Sequence, residues 1–128
     1  MGSAGSRLLA LARSRPAGWA LRVACAHMSF AIPARRLRET RSLLAFYHPS
    51  PAYAVHILIL PKRACRSLLD LSPEDGEFLR DLIATVQGLV SELGLERAGY
   101  RLVANGGANQ EVGVLHFHLI SGPALGEG

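Results

Sequence analysis

Two histidines lie two residues apart near the carboxyl end of the chain, in the segment QEVGVLHFHLISG. A β-strand alternates its side chains with a period of two, so His116 and His118 are expected on one face of a sheet. The apolar neighbours expected on the other face are Leu115, Phe117 and Leu119. Imidazole changes its charge near neutral pH, so two such rings suit a site that handles anions or protons. Burying two imidazoles would cost free energy unless each ring had a hydrogen-bonding or charged partner. We therefore favour a functional site over two purely structural histidines.

The length and composition of the chain limit what can position that site. The chain has 128 residues, which is room for one domain and one core. An apolar fraction of 49% excludes general disorder. No uninterrupted apolar run approaches the length of a membrane span, so no membrane partner is expected.

The net charge of +4 is concentrated at the amino end of the chain. Four arginines precede residue 28 and the first acid is Glu39, whereas ten basic and ten acidic residues follow from Met28 onward. The folded part is therefore expected to be neutral. A nucleic-acid partner, which would require a basic surface, is not expected.

The first 27 residues form a basic extension that differs from the rest of the chain. Three interpretations stay open: an arginine-rich organellar targeting peptide, a disordered extension that binds anionic surfaces weakly, or sequence upstream of a native start at Met28. We assign residues 1–27 to this extension and residues 28–128 to one domain. Cys25 and Cys65 belong to no CxxC pair, which is typical of reduced thiols in a cytoplasmic protein.

Strand and helix patterns predict an α+β architecture. Apolar runs between turn residues predict strands over residues 42–47, 54–60, 100–104 and 112–121, and the charged segment 35–41 is predicted to be a short strand and hairpin. Ser72 as N-cap and Pro73 at the first helical position begin a helix whose apolar residues repeat at helical spacing from Phe78 to Leu93. Gly94 closes it. We expect an antiparallel sheet of about five strands with this one long helix packed on it.

The order of these motifs resembles the histidine triad (HIT) family, on its Hint-like branch. SLLAF, VHILILPK, YRLVANGG and QEVxxLHFHLISG follow one another between about residues 28 and 122. VHILILPK alone would be weak, but together with NGGxxQEV and LHFHLI at the right separation it is specific. The family signature has three histidines that alternate with hydrophobic residues. Those positions fall on Val114, His116 and His118, so the resemblance implies a HIT-like fold with the first histidine replaced.

The resemblance also implies a catalytic mechanism. In the family, the middle histidine attacks the α-phosphorus of a nucleotide and forms a nucleotidyl-histidine intermediate, and His116 occupies that position. Such an attack needs a neutral ring whose other nitrogen is held by an acceptor, a need that a backbone carbonyl can meet without a histidine at Val114. His118 matches the phosphate-contacting histidine on the leaving-group side. His56 matches the upstream histidine that completes the cluster.

Four further positions are assigned to the substrate. Asn105 and Gln110 match the loop that donates hydrogen bonds to phosphate, where they would stabilise charge on the non-bridging oxygens. Leu44 is expected to line an apolar base pocket. His48 stands at or next to the aspartate that binds ribose hydroxyls in many Hint-like members. Because an imidazole cannot accept two hydroxyl hydrogen bonds as a carboxylate does, a preference for adenosine is not implied.

Metal binding is a separate interpretation of the same histidines. His56, His116 and His118 with an open fourth position would have the pattern of a catalytic zinc site. The resemblance favours phosphate binding over a catalytic metal. Some family members hold a structural zinc through an amino-terminal CxxC, but the second cysteine is absent after Cys25. We expect no metal and no cofactor.

The favoured prediction is a hydrolase that cleaves a nucleoside phosphoramidate or a related small nucleotide conjugate through a covalent intermediate on His116. The alternative is a nucleotide-binding or scaffold protein with little turnover, because Val114 and His48 would weaken the site. The resemblance further implies a symmetric homodimer that pairs through the long helix and a sheet edge.

Overall fold

The computed structural model describes residues 36–126 of the chain. Its regular elements are β1 (Arg36–Glu39), β2 (Leu43–Tyr47), β3 (Tyr53–Pro61), α1 (Gly76–Glu92), α2 (Leu95–Ala98), β4 (Arg101–Val103) and β5 (Phe117–Ala124). Short 3₁₀ turns occupy Leu68–Asp70, Pro73–Asp75 and Gly107–Asn109. The extension assigned to residues 1–27 and the domain start at residue 28 lie outside the described residues. Within residues 36–126, no helix is long and apolar enough to cross a membrane.

The five strands form one antiparallel sheet in the order β1-β2-β3-β5-β4. The central strand β3 pairs with β2 on one side and with β5 on the other. The predicted five-stranded sheet with one long helix is therefore confirmed. The sequence pattern did not predict α2, a single helical turn between α1 and β4.

The last strand is shorter at its start than the sequence predicted. β5 begins at Phe117 rather than at Val112. The backbone N–H of Leu115 donates instead to the carbonyl of Cys65, 2.9 Å away, which holds the preceding segment against a different loop. His116 consequently lies just before the strand and not within it.

The two faces of the sheet carry different side chains. On the face that α1 covers, Ile57, Ile59, Phe117 and Leu119 pack with the helix residues in one buried core. The predicted facing of Phe117 and Leu119 toward the core is confirmed, as is that of Leu115. On the opposite face a smaller apolar cluster lies over β2 and β3: Leu44, Phe46, Leu58 and Leu60.

The helix begins later than its sequence signals indicate. Ser72 and Asp75 form a reciprocal capping box, but it caps a 3₁₀ turn that starts at Pro73, and the α-helix itself starts at Gly76. At the other end Gly94 adopts a left-handed conformation with φ of 66°, which a residue without Cβ adopts at little cost. The apolar stripe is wider than the core face, because Leu79 and Ile83 are 39% and 53% exposed.

A glycine allows β5 to pass close to β3 beyond the regular pairing. Gly122 has φ of 83°, and a Cβ added there would lie 2.8 Å from the Cβ of Ala54. The register of the two strands shifts between Tyr53 and Val55 at the same place. A side chain at position 122 would therefore force this end of the sheet apart.

Candidate functional site

Four histidine rings meet on the face of the sheet that α1 does not cover. His56 lies on β3, His118 on β5, His116 directly before β5, and His48 directly after β2. The ring centroids are 4.4 Å apart for His48 and His56, 5.1 Å for His56 and His118, and 4.9 Å for His116 and His118. His56 pairs with Ile120 and His118 with Leu58, so the two rings are diagonal neighbours on adjacent strands. The structure thus brings together the three predicted catalytic histidines, with His48 beside them.

The hydrogen bonds between these rings fix where their protons lie. The backbone N–H of Ala52 donates to Nδ1 of His56 at 2.9 Å, so a neutral His56 carries its proton on Nε2. That Nε2 lies 2.9 Å from Nδ1 of His118 and donates to it. His118 in turn must carry its own proton on Nε2. A backbone amide therefore determines the tautomer of two consecutive imidazoles.

His116 has the opposite tautomer. Its Nδ1 lies 2.7 Å from the backbone oxygen of Val114, and a carbonyl can only accept, so Nδ1 carries the proton. In the neutral ring the lone pair then belongs to Nε2, which is the arrangement that nucleophilic attack by imidazole requires. The acceptor is the backbone of Val114 and not its side chain. That Val114 itself replaces the first histidine of the triad stays a prediction.

The cluster is held uncharged. Burial, followed by the charges of the neighbouring histidines, lowers the pKa of His48, His56 and His118 from 6.5 to about 4. Burial also lowers the pKa of His116, against the smaller opposing effect of its hydrogen bond to Val114. The rings are therefore neutral at pH 7. A bound phosphate would place a negative charge beside the rings, which supply none to one another. It would therefore favour protonation of one of them.

His48 is held by its own loop. The backbone N–H of Ser50 donates to Nδ1 of His48 at 2.9 Å, so a neutral His48 carries its proton on Nε2 and presents a donor there. Its ring also lies nearly parallel to that of His118, at 22°, with the centroids 6.5 Å apart. His48 is thus part of the imidazole cluster as well as a predicted substrate contact.

The other three predicted substrate residues, Asn105, Gln110 and Leu44, lie in different surroundings. Asn105 lines a cavity together with His56 and His118. The side-chain amide of Gln110 donates to the carbonyls of Arg66 and Val112, at 2.6 and 2.9 Å, and so ties two loops together. Leu44 is 3% exposed within the apolar cluster on the histidine face. Substrate contact by these three residues stays a prediction.

Four residues of that cavity were not among the predicted site residues: Tyr53, Arg101, Val103 and Ile120. The cavity measures about 290 Å³, and Tyr53 and Arg101 line it beside the histidines. The ring of Tyr53 stands edge-on to His56 at 5.7 Å. Arg101 pairs with Ile120 across β4 and β5, so it shares the face of His118 and His56. The period-two spacing of Arg101 and Val103 indicated that their side chains share one face of a strand. The sequence did not show that this strand pairs with β5.

The ring nitrogens are already used in ways that compete with a metal ion. Both ring nitrogens of His56, Nδ1 of His118 and Nδ1 of His116 are hydrogen-bonded to protein atoms. In the part of the chain from residue 36 to residue 126, no group of three or more His, Cys, Asp or Glu residues is arranged to hold a metal. The chemistry that the geometry offers is a nucleophilic nitrogen on His116 beside an N–H donor on His118.

Comparison with known proteins identifies the family. The sequence profile of the HIT domain matches residues 29–125. An uncharacterised HIT-like protein of Helicobacter pylori is 34% identical over 93 residues, which cover 71% of this chain and 86% of the relative. A HIT-like protein of Synechococcus elongatus is 38% identical over 96 residues, which cover 73% of this chain and 83% of that protein.

Solved structures of the family have the same fold. A HIT family hydrolase from Legionella pneumophila superposes with a TM-score of 0.68 at 35% identity, covering 77% of this chain and 90% of its own. A histidine triad nucleotide-binding protein from Candida albicans superposes with a TM-score of 0.67 at 30% identity, covering 81% of this chain and 79% of its own. With this profile match, these relatives and a sheet that gathers its histidines at one site, the chain belongs to the HIT domain family.

Proposed function

We propose that this protein hydrolyses a nucleoside phosphoramidate or a related nucleotide conjugate through a covalent intermediate on His116. The observation that carries the proposal is the 2.7 Å hydrogen bond from Nδ1 of His116 to the carbonyl of Val114, which places the ring's lone pair on Nε2. The similarity to a HIT family hydrolase and to a histidine triad nucleotide-binding protein supports the reaction class and the ligand class.

The first step transfers the nucleotidyl group to the protein. Nε2 of His116 gives its electron pair to phosphorus, and the bond from phosphorus to the leaving nitrogen breaks. That nitrogen keeps the bonding pair and takes a proton from a water molecule. The positive charge that develops on the His116 ring is stabilised at Nδ1 by the Val114 carbonyl, while the Nε2–H of His118 is available to hydrogen-bond the phosphate or the leaving group.

The second step releases the nucleotide. The hydroxide left by that water attacks phosphorus, the bond to Nε2 of His116 breaks, and its electron pair returns to the ring. One water is consumed, and one amine and one nucleoside monophosphate are formed. His56 forms and breaks no bond to phosphorus in this scheme. It orients His118 by donating to Nδ1, so that the proton of His118 faces outward.

The direct test is incubation of the protein with adenosine 5′-phosphoramidate, with AMP release followed by chromatography and the protein sampled by rapid quench and intact-mass spectrometry. We expect AMP, and a protein adduct heavier by one adenylyl group. His116→Ala should lose the adduct and about 10³-fold or more in kcat/KM. Arg80→Gln, an exposed change on α1, should leave both unchanged.

The outcomes separate the hydrolase from the alternative. No AMP release, together with a rise in Tm on adding AMP, would overturn the hydrolase and leave a nucleotide-binding or scaffold protein. Turnover by wild type with full retention in His116→Ala would remove His116 as the nucleophile.

We also propose that two copies of the chain pair through α1 and the sheet edge at β4. Among the strands of residues 36–126, β4 is the last of the sheet and pairs on one side only. Leu79 and Ile83 of α1 are exposed, and so is Leu102 of β4, at 37%. Leu102 pairs with Leu119, which faces the helix side of the sheet. Burial of these side chains and of the strand edge by a second copy would stabilise both.

Sedimentation equilibrium tests the pairing. Wild type should have the mass of a dimer, and Ile83→Glu should shift it toward the monomer, because the change places a charge in the proposed interface. Leu69→Glu is the matched control, since Leu69 is 91% exposed in a 3₁₀ turn. A monomeric wild type, or a dimer that survives Ile83→Glu, would overturn the arrangement.

A further inference from the structure

A cleft made of two adjoining cavities extends from His56 and His118 toward the carboxyl end of β5. The cavity of about 290 Å³ beside His56 and His118 adjoins a second one of about 320 Å³. Tyr53, Arg101 and Ile120 line both of them. The second cavity continues to the carboxyl end of β5, where Ser121 and Gly122 form its wall. The cleft is therefore longer than a single phosphate group needs.

The only charged side chain that lines this cleft among residues 36–126 is that of Arg101, which lies where the two cavities meet. None of the described residues that line either cavity is an Asp or Glu. Within residues 36–126, the side chain of Arg101 forms no ion pair or hydrogen bond, whereas the guanidinium groups of Arg36, Arg41 and Arg63 are each paired with a carboxylate. An unpaired guanidinium in a cleft without acids favours an anionic ligand.

The position of Arg101 relates this charge to the reacting centre. Along β5, His118 and Ile120 are two residues apart, which is about 7 Å in a strand. Arg101 stands directly across from Ile120. If the phosphorus atom lies between His116 and His118, a substituent on it can extend along the cleft until its far end meets Arg101. His118 is the histidine between that substituent and the nucleophile.

We propose that the leaving group of the substrate carries a negative charge, which Arg101 binds in this cleft. The inference rests on the proposed hydrolase reaction and names its substrate class: nucleotide conjugates whose leaving group ends in a carboxylate or a phosphate, in preference to those that end in an amine. Arg101 acts on the leaving group alone, at the junction of the two cavities and away from His116. A cationic leaving group would be repelled by the same guanidinium.

Three adenosine phosphoramidates that differ only in remote charge test the proposal. Their leaving amines are β-alanine, propylamine and 1,3-diaminopropane, which end in a carboxylate, a methyl group and an ammonium group. For wild type, kcat/KM should fall in that order. In Arg101→Gln, the ratio of carboxylate to ammonium substrate should fall by about tenfold, because one charge-assisted hydrogen bond is lost. Taking the ratio between variants cancels the different basicities of the three amines.

Two control variants sharpen the measurement. Arg101→Lys keeps the charge and should retain most of the preference, whereas Arg80→Gln removes a charge from α1 and should leave the ratio unchanged. The wild-type preference should also weaken in high salt. Equal kcat/KM for the three substrates, or a preference that persists in Arg101→Gln, would overturn the proposal while the hydrolase reaction stood.

The charge preference of the cleft can be tested even if the protein shows no turnover. The hydrolase proposal would then fail, and calorimetry with the intact conjugates would measure the cleft by itself. Tighter binding of the carboxylate conjugate than of the ammonium conjugate, with the difference lost in Arg101→Gln, would support the anionic cleft. The absence of that difference would overturn it.

Discussion

The two faces of the sheet are built from alternate residues of the same strands, yet they meet opposite requirements. On β5, Leu119 is fully buried under α1, while His118 on one side of it and Ile120 on the other belong to the face with the cleft. On β3, Ile57 lies in the core and its neighbour His56 lies in the imidazole cluster. One residue of displacement along a strand separates a packing role from a chemical one.

The difference shows how a protein can bury titratable rings without destabilising the fold. His56 is 6% exposed, almost as buried as the core residues beside it. Its two ring nitrogens are both satisfied, by the N–H of Ala52 and by His118, so burial leaves no polar atom without a partner. The cost appears as lowered pKa values, because a proton added to any ring would be poorly solvated and close to other rings.

The largest expected effect is on the free energy of unfolding, and it compares two neighbouring residues of β5 that lie on opposite faces of the sheet. Leu119→Ala removes a fully buried side chain from the core and should lower the free energy of unfolding by about 2–5 kcal/mol. His118→Ala removes a partly exposed ring and leaves the Nε2–H of buried His56 without its partner, and should cost about 1–3 kcal/mol. Urea denaturation followed by circular dichroism measures both. Equal losses would mean that the histidine face contributes to stability as the core does.

Lowering the pH from 6.5 to 5 should destabilise the protein mainly through the histidine face. The pKa values of His48, His56 and His118 are about 4 in the folded protein and near 6.5 when unfolded. Between those values the unfolded chain binds more protons than the folded one, so stability is full above pH 6.5 and decreases as the pH falls toward 4. The loss from pH 6.5 to 5 should exceed ~1 kcal/mol.

Urea denaturation at a series of pH values measures this slope. His48→Asn should make it shallower, since one titrating ring is removed, whereas Leu119→Ala should lower the whole curve without changing its slope. A stability that stays constant from pH 6.5 to 5 would show that the cluster takes up protons in the folded state as readily as in the unfolded chain.

The smallest expected effect concerns the side chain at position 114. The carbonyl of Val114, and not its side chain, accepts the proton of His116. Val114→His should therefore change kcat/KM by less than about tenfold, because the backbone acceptor remains. Steady-state AMP release measures it. An increase of a hundredfold would show that an imidazole at position 114 does what the backbone carbonyl cannot.

Much of the fold follows from local sequence patterns. The apolar run of β3, the wide apolar stripe of α1 and the alternation around His118 each predict an element that the structure contains, because periods of 2 and 3.6 residues decide which face can be buried. The predicted bounds failed where non-local bonds compete with local ones. Leu115 bonds to Cys65 instead of continuing β5, and no pattern near residue 115 indicates that partner.

The candidate site divides in the same way. The residue types and the spacing of His116 and His118, with the family resemblance, were sufficient to predict a cluster of imidazoles that includes His56. The sequence could not determine which ring nitrogen carries each proton, since that depends on Ala52, Val114 and the contact of His56 with His118. Nor could it place Tyr53 and Arg101 in the cleft. The contacts of Ala52 with His56 and of Val114 with His116 are local, but they depend on the path that the folded backbone takes. The contact of His56 with His118 and the position of Arg101 in the cleft join residues far apart in the chain, and only the pairing of β3, β5 and β4 brings those together.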